Sequence, residues 1–344
     1  MADRKRVGGI ALYFYAHFQL IEKETIMKKI TALLLLLAVL TASLFEPALA
    51  EKKITIVAAT FPLYDWTRQV LGENSDAELI LLMDSGVDLH SFNPTAQDIL
   101  RVASCDLFIY VGGESDEWVD DVLAAANNPD LVAIDLMEVL GDSVKEEEVV
   151  EGMEEEAEEE DAGKEVEYDE HVWLSLKNAS ILCQEIANRL GEIDPDGKTA
   201  YDANVAGYLE ELSELDLEYQ AMIENSSKKT VLFGDRFPFR YLTDDYGLNY
   251  YAAFVGCSAE TEASFETVVF LANKVDELDL PAVLKIEGSD GKLAQTIVDN
   301  TTKQSAEILE LDSMQSVTAA DVAQGANYLA AMENNLFILQ EALK

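Results

Sequence analysis

Residues 198–225 read KTAYDANVAGYLEELSELDLEYQAMIEN, and within them Tyr201, Val205, Tyr208, Leu212, Leu215, Tyr219 and Met222 recur at alternating spacings of four and three. That spacing lays a single apolar stripe along one face of a helix. At 1.5 Å per residue the helix is on the order of 40 Å long, enough to run beside two separate bodies and join them as a stiff strut. Upstream, apolar runs at 54–59, 79–83, 107–111 and 131–134 alternate with helical spacing at 61–71, 94–103 and 118–126, and a further helix is expected at 178–190. Downstream, runs at 231–233, 250–255, 282–286 and 306–311 alternate with helical spacing at 265–278, 291–302 and 319–343. Strands alternating with helices predict βαβ units and a mostly parallel sheet. The expected fold class is α/β: two lobes, each a mostly parallel sheet flanked by helices, joined by one long rigid helix. No internal repeat is evident in the residues.

The ends and the charge set boundaries. Met27-Lys28-Lys29-Ile30 is a positive n-region, 31–45 an apolar h-region, and Ala48-Leu49-Ala50 a small-x-small cleavage site. The sequence therefore predicts a signal peptide at 27–50, a non-native or dispensable extension at 1–26, and a mature start at Glu51. The h-region falls short of the roughly 20 residues of a transmembrane helix, and no cysteine follows it to accept a lipid. The expected domains are an N-terminal lobe at 51–190, the connecting helix at 191–227 and a C-terminal lobe at 228–344. A glutamate-dominated segment at 144–170 interrupts the first lobe and reads as a disordered acidic loop. With 24 basic and 66 acidic residues the net charge is −42. Such a chain repels phosphate backbones and anionic lipid surfaces, which argues against nucleic acid as a partner. Cys105, Cys183 and Cys257 are too few for a disulfide framework and read as small buried thiols.

Of three histidines, His90 and His171 lie in the expected mature part of the chain. His90 stands in Asp88-Leu89-His90-Ser91-Phe92-Asn93-Pro94, after a strand and before a helix. His171 stands in Tyr168-Asp169-Glu170-His171-Val172-Trp173-Leu174, after the acidic segment. The carboxyl edge of an open α/β sheet is where ligands bind, and neutral imidazole is the commonest metal ligand. Asp235, after the strand 231–233, and Asp312, after the strand 306–311, are carboxylates at strand ends of the second lobe. Glu287 is a rival at a third strand end. Two imidazoles with one or two carboxylates suit zinc or manganese. No Gly-x-Ser-x-Gly, Gly-x-x-x-x-Gly-Lys-Ser/Thr, His-Glu-x-x-His or Cys-x-x-Cys occurs, so no nucleophile, phosphate cradle or paired thiol points to an enzyme.

With those residues in hand, the chain resembles the solute-binding proteins of zinc and manganese ABC importers. The motif around His90 looks like the family's Asp-Pro-His-x-aromatic-x-Pro. Asp169-Glu170-His171-Val172-Trp173-Leu174 looks like its Asp-Pro-His-x-Trp-Leu. Phe239-Arg240-Tyr241-Leu242 with Tyr246-Gly247-Leu248 is similar to the segment after the third ligand, and Leu309-Glu310-Leu311-Asp312 to the segment carrying a fourth. The resemblance implies an extracytoplasmic receptor, in the periplasm or at the outer face of the envelope. It would be a monomer with no organic cofactor. It would bind one divalent ion, zinc before manganese, between its lobes and deliver it to a membrane permease with its ATPase. The implied ligands are His90, His171, Asp235 and Asp312. The family's third ligand position falls on Arg236, which has no lone pair to give, so Asp235, Glu287 or water is left to complete the site. Leu89 and Glu170 replace the family's two prolines, and the charged loop is acidic rather than histidine-rich. A metal-dependent hydrolase with the same ligands and a surface adhesin with a structural metal are the alternatives.

Overall fold

The computed structural model describes residues 53–344 apart from 73–75, 155–165 and 259–262, together with residues 23, 27–29 and 31. Most of 1–26 and of the signal segment 27–50 thus lies outside the described residues. Residues Lys53–Lys344 form one compact unit. Its first sheet holds β1 (Thr55–Ala58), β2 (Glu78–Leu81), β3 (Leu107–Tyr110) and β4 (Val132–Asp135) in the order β2-β1-β3-β4. Its second holds β5 (Thr230–Phe237), β6 (Asn249–Val255), β7 (Ala282–Ile286) and β8 (Glu307–Leu311) in the order β6-β5-β7-β8. Every pairing between these strands is parallel. The two sheets therefore repeat one topology, in a strand order that no residue pattern reveals. In each, the order reverses between the first and third strands of the set, and loops at the carboxyl ends of strands beside such a switch point form a ligand crevice.

The helices are α1 (Phe61–Leu71), α2 (Ala96–Ser104), α3 (Trp118–Ala124), α4 (Leu136–Leu140), α5 (Leu176–Ile193), α6 (Lys198–Asn225), α7 (Arg240–Tyr246), α8 (Phe265–Leu278), α9 (Lys292–Asp299), α10 (Ala319–Ala323) and α11 (Tyr328–Ala342). The long helix is α6, with the bounds the sequence predicts. Its buried face is Tyr201, Val205, Tyr208, Leu212, Leu215, Tyr219 and Ile223. Ile223, not Met222, ends the stripe. At 100° per residue, position 223 lies about 40° from Tyr201 around the helix and position 222 about 60°. The strut touches both lobes through polar groups as well. Asn204 donates to the Val70 carbonyl at 2.9 Å, Tyr219 to the Met332 carbonyl at 2.6 Å, and Asp216 accepts from Tyr246 at 2.9 Å.

One core runs through both lobes, from Ile56 and Phe108 past Leu212 to Phe233 and Leu284. A second core under the other face of the second sheet takes Leu232, Val283, Phe254, Leu271 and Ile297. Val231 and Phe233 go to one core and Leu232 to the other, the period-two alternation of a strand covered on both sides. The lobes are also stitched to each other. Trp173, fully buried, donates its indole N–H to the Ser313 carbonyl at 2.9 Å, and Tyr328 donates to the Trp173 carbonyl at 2.6 Å.

Three expectations are corrected. β5 does not stop at Phe233 but continues through Gly234 to Phe237, with a register shift between Phe233 and Arg236. Gly234 is there for close packing: a Cβ on it would meet Ala294 Cα of α9 at 2.5 Å. Asp235 and Arg236 consequently lie inside the strand. The helix expected at 319–343 is two helices, because Gly325 takes φ 98° and Asn327 caps the second through the Ala330 N–H. The acidic segment 144–170 is ordered at both described ends. Asp169 N–H donates to the Lys145 carbonyl at 2.9 Å, and Glu147 N–H to that of Glu167 at 3.0 Å. Residues 155–165 lie outside the described residues.

The stripe makes a testable contrast on one helix. Leu212 is fully buried and Leu217 is 60% exposed. Leu212→Ala should cost about 2–5 kcal/mol of unfolding free energy, and Leu217→Ala no more than about 0.5 kcal/mol. Denaturant unfolding of both variants checks this, and equal losses would contradict the register of α6.

Candidate metal site

Both histidines sit in the same local device. In Asp88-Leu89-His90 the Asp88 carboxylate accepts the His90 backbone N–H at 3.0 Å and caps the short 3-10 turn Leu89–Ser91. In Asp169-Glu170-His171 the Asp169 carboxylate accepts the His171 backbone N–H at 2.8 Å, just before the 3-10 turn Val172–Leu174. An aspartate bonding the backbone two residues on is a self-contained turn, so each Asp-x-His segment presents its own imidazole.

The rings are oriented from behind. His171 Nδ1 lies 3.0 Å from Asp169 Oδ1, which can only accept, so the proton is on Nδ1 and the Nε2 lone pair faces outward. His90 Nδ1 lies 2.9 Å from Ser115 Oγ and 3.4 Å from Glu170 Oε2, and the carboxylate favours the same tautomer. Glu170 is itself held by the Ser115 N–H at 2.9 Å. The two Nε2 atoms converge to 3.2 Å. A tetrahedral ion with nitrogens at about 2.05 Å has an N–N edge of about 3.3 Å. Two lone pairs this close need a positive charge between them, either a proton or a metal. His171 has no exposed side-chain surface and His90 keeps 12%, so the way in is on the His90 side.

The electrostatics split the pair. Burial pushes His90 down to about 3, helped by the neighbouring charge of His171. Burial opposes the charged form of His171 too, but the charge and hydrogen bond of Asp169, with Asp88 and Glu170 beyond, outweigh it and hold the imidazole above its ordinary value. Behind Ser115, burial raises Asp116 to about 7, with the charge of Glu170 adding to it. Asp169 behind His171 and Glu170 behind His90 stand where the outer-shell carboxylates of metal-ligating histidines stand.

Of the residues named from the sequence, the structure brings His90 and His171 together and leaves the two aspartates out. Among the described residues, one group of three or more His, Cys, Asp or Glu side chains converges closely enough for a shared ion: His90, His171 and Cys257, with one ligand atom from each within 4.8 Å of the others. Asp235 turns instead to backbone, accepting from the Arg236 N–H at 2.9 Å and the Ile286 N–H at 3.4 Å. Asp312 accepts the Met314 N–H at 2.7 Å, and Glu287 takes the Ser313 N–H at 2.7 Å and the Gln315 N–H at 3.0 Å. Burial, then the charge of Asp312, raises Glu287 to about 7. Arg236 reaches across the lobes to Asp88 at 2.6 Å and donates to the Ser258 carbonyl at 3.2 Å. Cys257 is the residue the sequence reading missed. Cys105 and Cys183 are buried as expected, but Cys257 is only partly so. Its signal was its place just past the carboxyl end of β6, the ligand edge of a parallel sheet. Burial, with Asp169, Glu147 and Glu170 nearby, pushes its thiol well above the ordinary value. A cavity of about 420 Å³ lined by Lys228, Asp276, Lys303 and Glu341 lies at the opposite, amino end of β7 and β8, away from this chemistry.

Comparison with known proteins places the sequence and the fold among zinc-binding relatives. A zinc-binding lipoprotein AdcA of Streptococcus pneumoniae is 30% identical over 319 residues, covering 92% of this chain and 61% of its own length. The high-affinity zinc uptake system protein ZnuA of Bacillus subtilis is 27% identical over 294 residues, covering 85% of this chain and 88% of its own. The chain thus spans about three fifths of the length of the AdcA relatives it matches. Among solved structures, the Zn(II)-bound ZnuA-like domain of S. pneumoniae AdcA superposes with a TM-score of 0.66 at 27% identity, over 85% of this chain and 99% of that one. The metal-dependent lipoprotein YcdH of B. subtilis superposes with a TM-score of 0.68 at 25% identity, again over 85% and 99%. The family model described as zinc-uptake complex component A, periplasmic, matches residues 56–342, and the chain belongs to that family, ZnuA.

Proposed function

We propose that this chain is the capture component of a zinc importer: it takes up one zinc ion between its lobes with His90 and His171 and hands it to a membrane permease driven by an ATPase. The observation that carries the reading is the 3.2 Å approach of two Nε2 atoms, each ring with a carboxylate behind it. The relatives' zinc-binding names and the Zn(II)-bound neighbour support the choice of ion. Nitrogen donors suit zinc better than manganese, which prefers oxygen. The reading makes the chain a receptor without bond chemistry, working outside the cytoplasmic membrane in the periplasm or at the outer face. No described helix is long and apolar enough to cross a membrane. Arg236 and Asp88, the strut and the Trp173 bond all tie one lobe to the other, which favours small movements on binding over a wide hinge.

Zinc affinity, measured by competition with a chromophoric chelator, should be lost in His171→Ala; unchanged affinity would remove His171 from the site. Asp169→Asn keeps the turn but weakens the partner of Nδ1, and should cost about 10- to 100-fold in affinity. An affinity equal to wild type would contradict the orienting role of Asp169.

The pH dependence has a definite sign. Asp169 holds the His171 proton above the ordinary pKa, and the metal needs the lone pair that proton occupies. Zinc affinity should therefore rise between about pH 6 and pH 8 with proton release. Calorimetry in buffers of different ionisation enthalpy reads the protons directly, and a flat profile with none released would contradict the assignment.

A further inference from the structure

We propose that Cys257 is the third protein ligand of the captured ion, and that its thiolate sets the preference of the site for zinc over manganese. The inference rests on the zinc-capture reading above. Cys257 Sγ and the two imidazole nitrogens lie within 4.8 Å of one another. A tetrahedral zinc with nitrogen at about 2.05 Å and sulfur at about 2.3 Å needs an N–S edge of about 3.5 Å, within reach of a side-chain adjustment.

The turn bearing Cys257 is built to sit against His171. Gly256 precedes it, and a Cβ there would meet His171 Cε1 at 3.0 Å and the Phe237 carbonyl at 2.9 Å. Glycine lets the backbone pass the ring closely and delivers the next side chain beside it. The turn is then pinned from both lobes. Cys257 N–H donates to Glu147 Oε1 at 3.3 Å, and the Ser258 carbonyl accepts from Arg236 at 3.2 Å. Through its other nitrogen Arg236 holds Asp88, whose carboxylate also caps the His90 turn. One guanidinium, unable to ligate a metal itself, thus fixes the turn of one ligand relative to the turn of another.

The other two cysteines are not available for this role. Cys105 is buried and its thiol donates to the Val102 carbonyl at 3.2 Å, and Cys183 is fully buried on α5. On binding, the S–H bond breaks, a metal–sulfur bond forms and the proton leaves to solvent, as a coordinating thiol requires. Sulfur beside two imidazoles favours zinc and disfavours manganese.

Cobalt(II) titration of the reduced full chain tests this. The wild type should show a near-ultraviolet sulfur-to-cobalt charge-transfer band. Cys257→Ser should lose that band and keep the visible bands of histidine-bound cobalt. Its zinc affinity should fall by at least the roughly 10- to 100-fold that an outer-shell loss costs, with manganese affinity unchanged. A wild-type complex without the band, or a band that survives in Cys257→Ser, overturns the assignment. If His171→Ala abolishes the visible bands while the wild type shows no sulfur band, only the role of Cys257 falls. If the wild type takes up neither cobalt nor zinc, the capture reading falls with it.

Discussion

Two imidazoles held with their Nε2 atoms 3.2 Å apart are the constraint on which the molecule turns. Left alone, two such lone pairs repel. The fold imposes their approach by giving each ring an aspartate two residues back and an acceptor behind Nδ1. The cost is a set of buried acids. Burial raises Asp116 to about 7 and lifts Glu170, which lies 3.4 Å from His90 Nδ1, above its ordinary value. A divalent cation reverses that logic, since it favours every ionised form around it. The gap between the two nitrogens needs a positive charge, a proton or a cation, and that is the demand the proposed ion would meet.

The scaffold explains how such a site is kept in register. His90 follows β2 of the first sheet, Cys257 follows β6 of the second, and His171 stands more than eighty residues from either along the chain. The apolar stripe of α6 buries against both lobes, and Tyr219, Asn204 and Asp216 fix its position along them. Trp173, three residues from Glu170, locks the His171 turn to Ser313 in the second lobe. Binding energy is then not spent on ordering two hinged halves.

Much of this was legible in the residues, and the gaps have physical causes. The strand runs, the strut and the two histidines follow from periodicity and from the scarcity of imidazole. The aspartates at 235 and 312 were chosen for standing at strand ends, but a strand end does not say where a carboxylate points. Asp235 is drawn to the Ile286 N–H and Asp312 to its own turn. The apolar run 231–233 breaks off at Gly234, yet the strand runs on through that glycine, which packs against α9. Arg236, unable to coordinate, gains a role only when the fold sets Asp88 and Ser258 on either side of it. Cys257 has no partner pattern along the chain, because its neighbours are supplied by tertiary structure alone.

The central claim is that one ion is shared by His90 and His171. Anomalous diffraction at the zinc edge from crystals of the zinc-loaded chain tests it most directly. The account predicts a single strong peak at about 2.0–2.1 Å from both Nε2 atoms. A peak bound to one ring only, or placed among the glutamates of 144–170 with the imidazoles vacant, would contradict it.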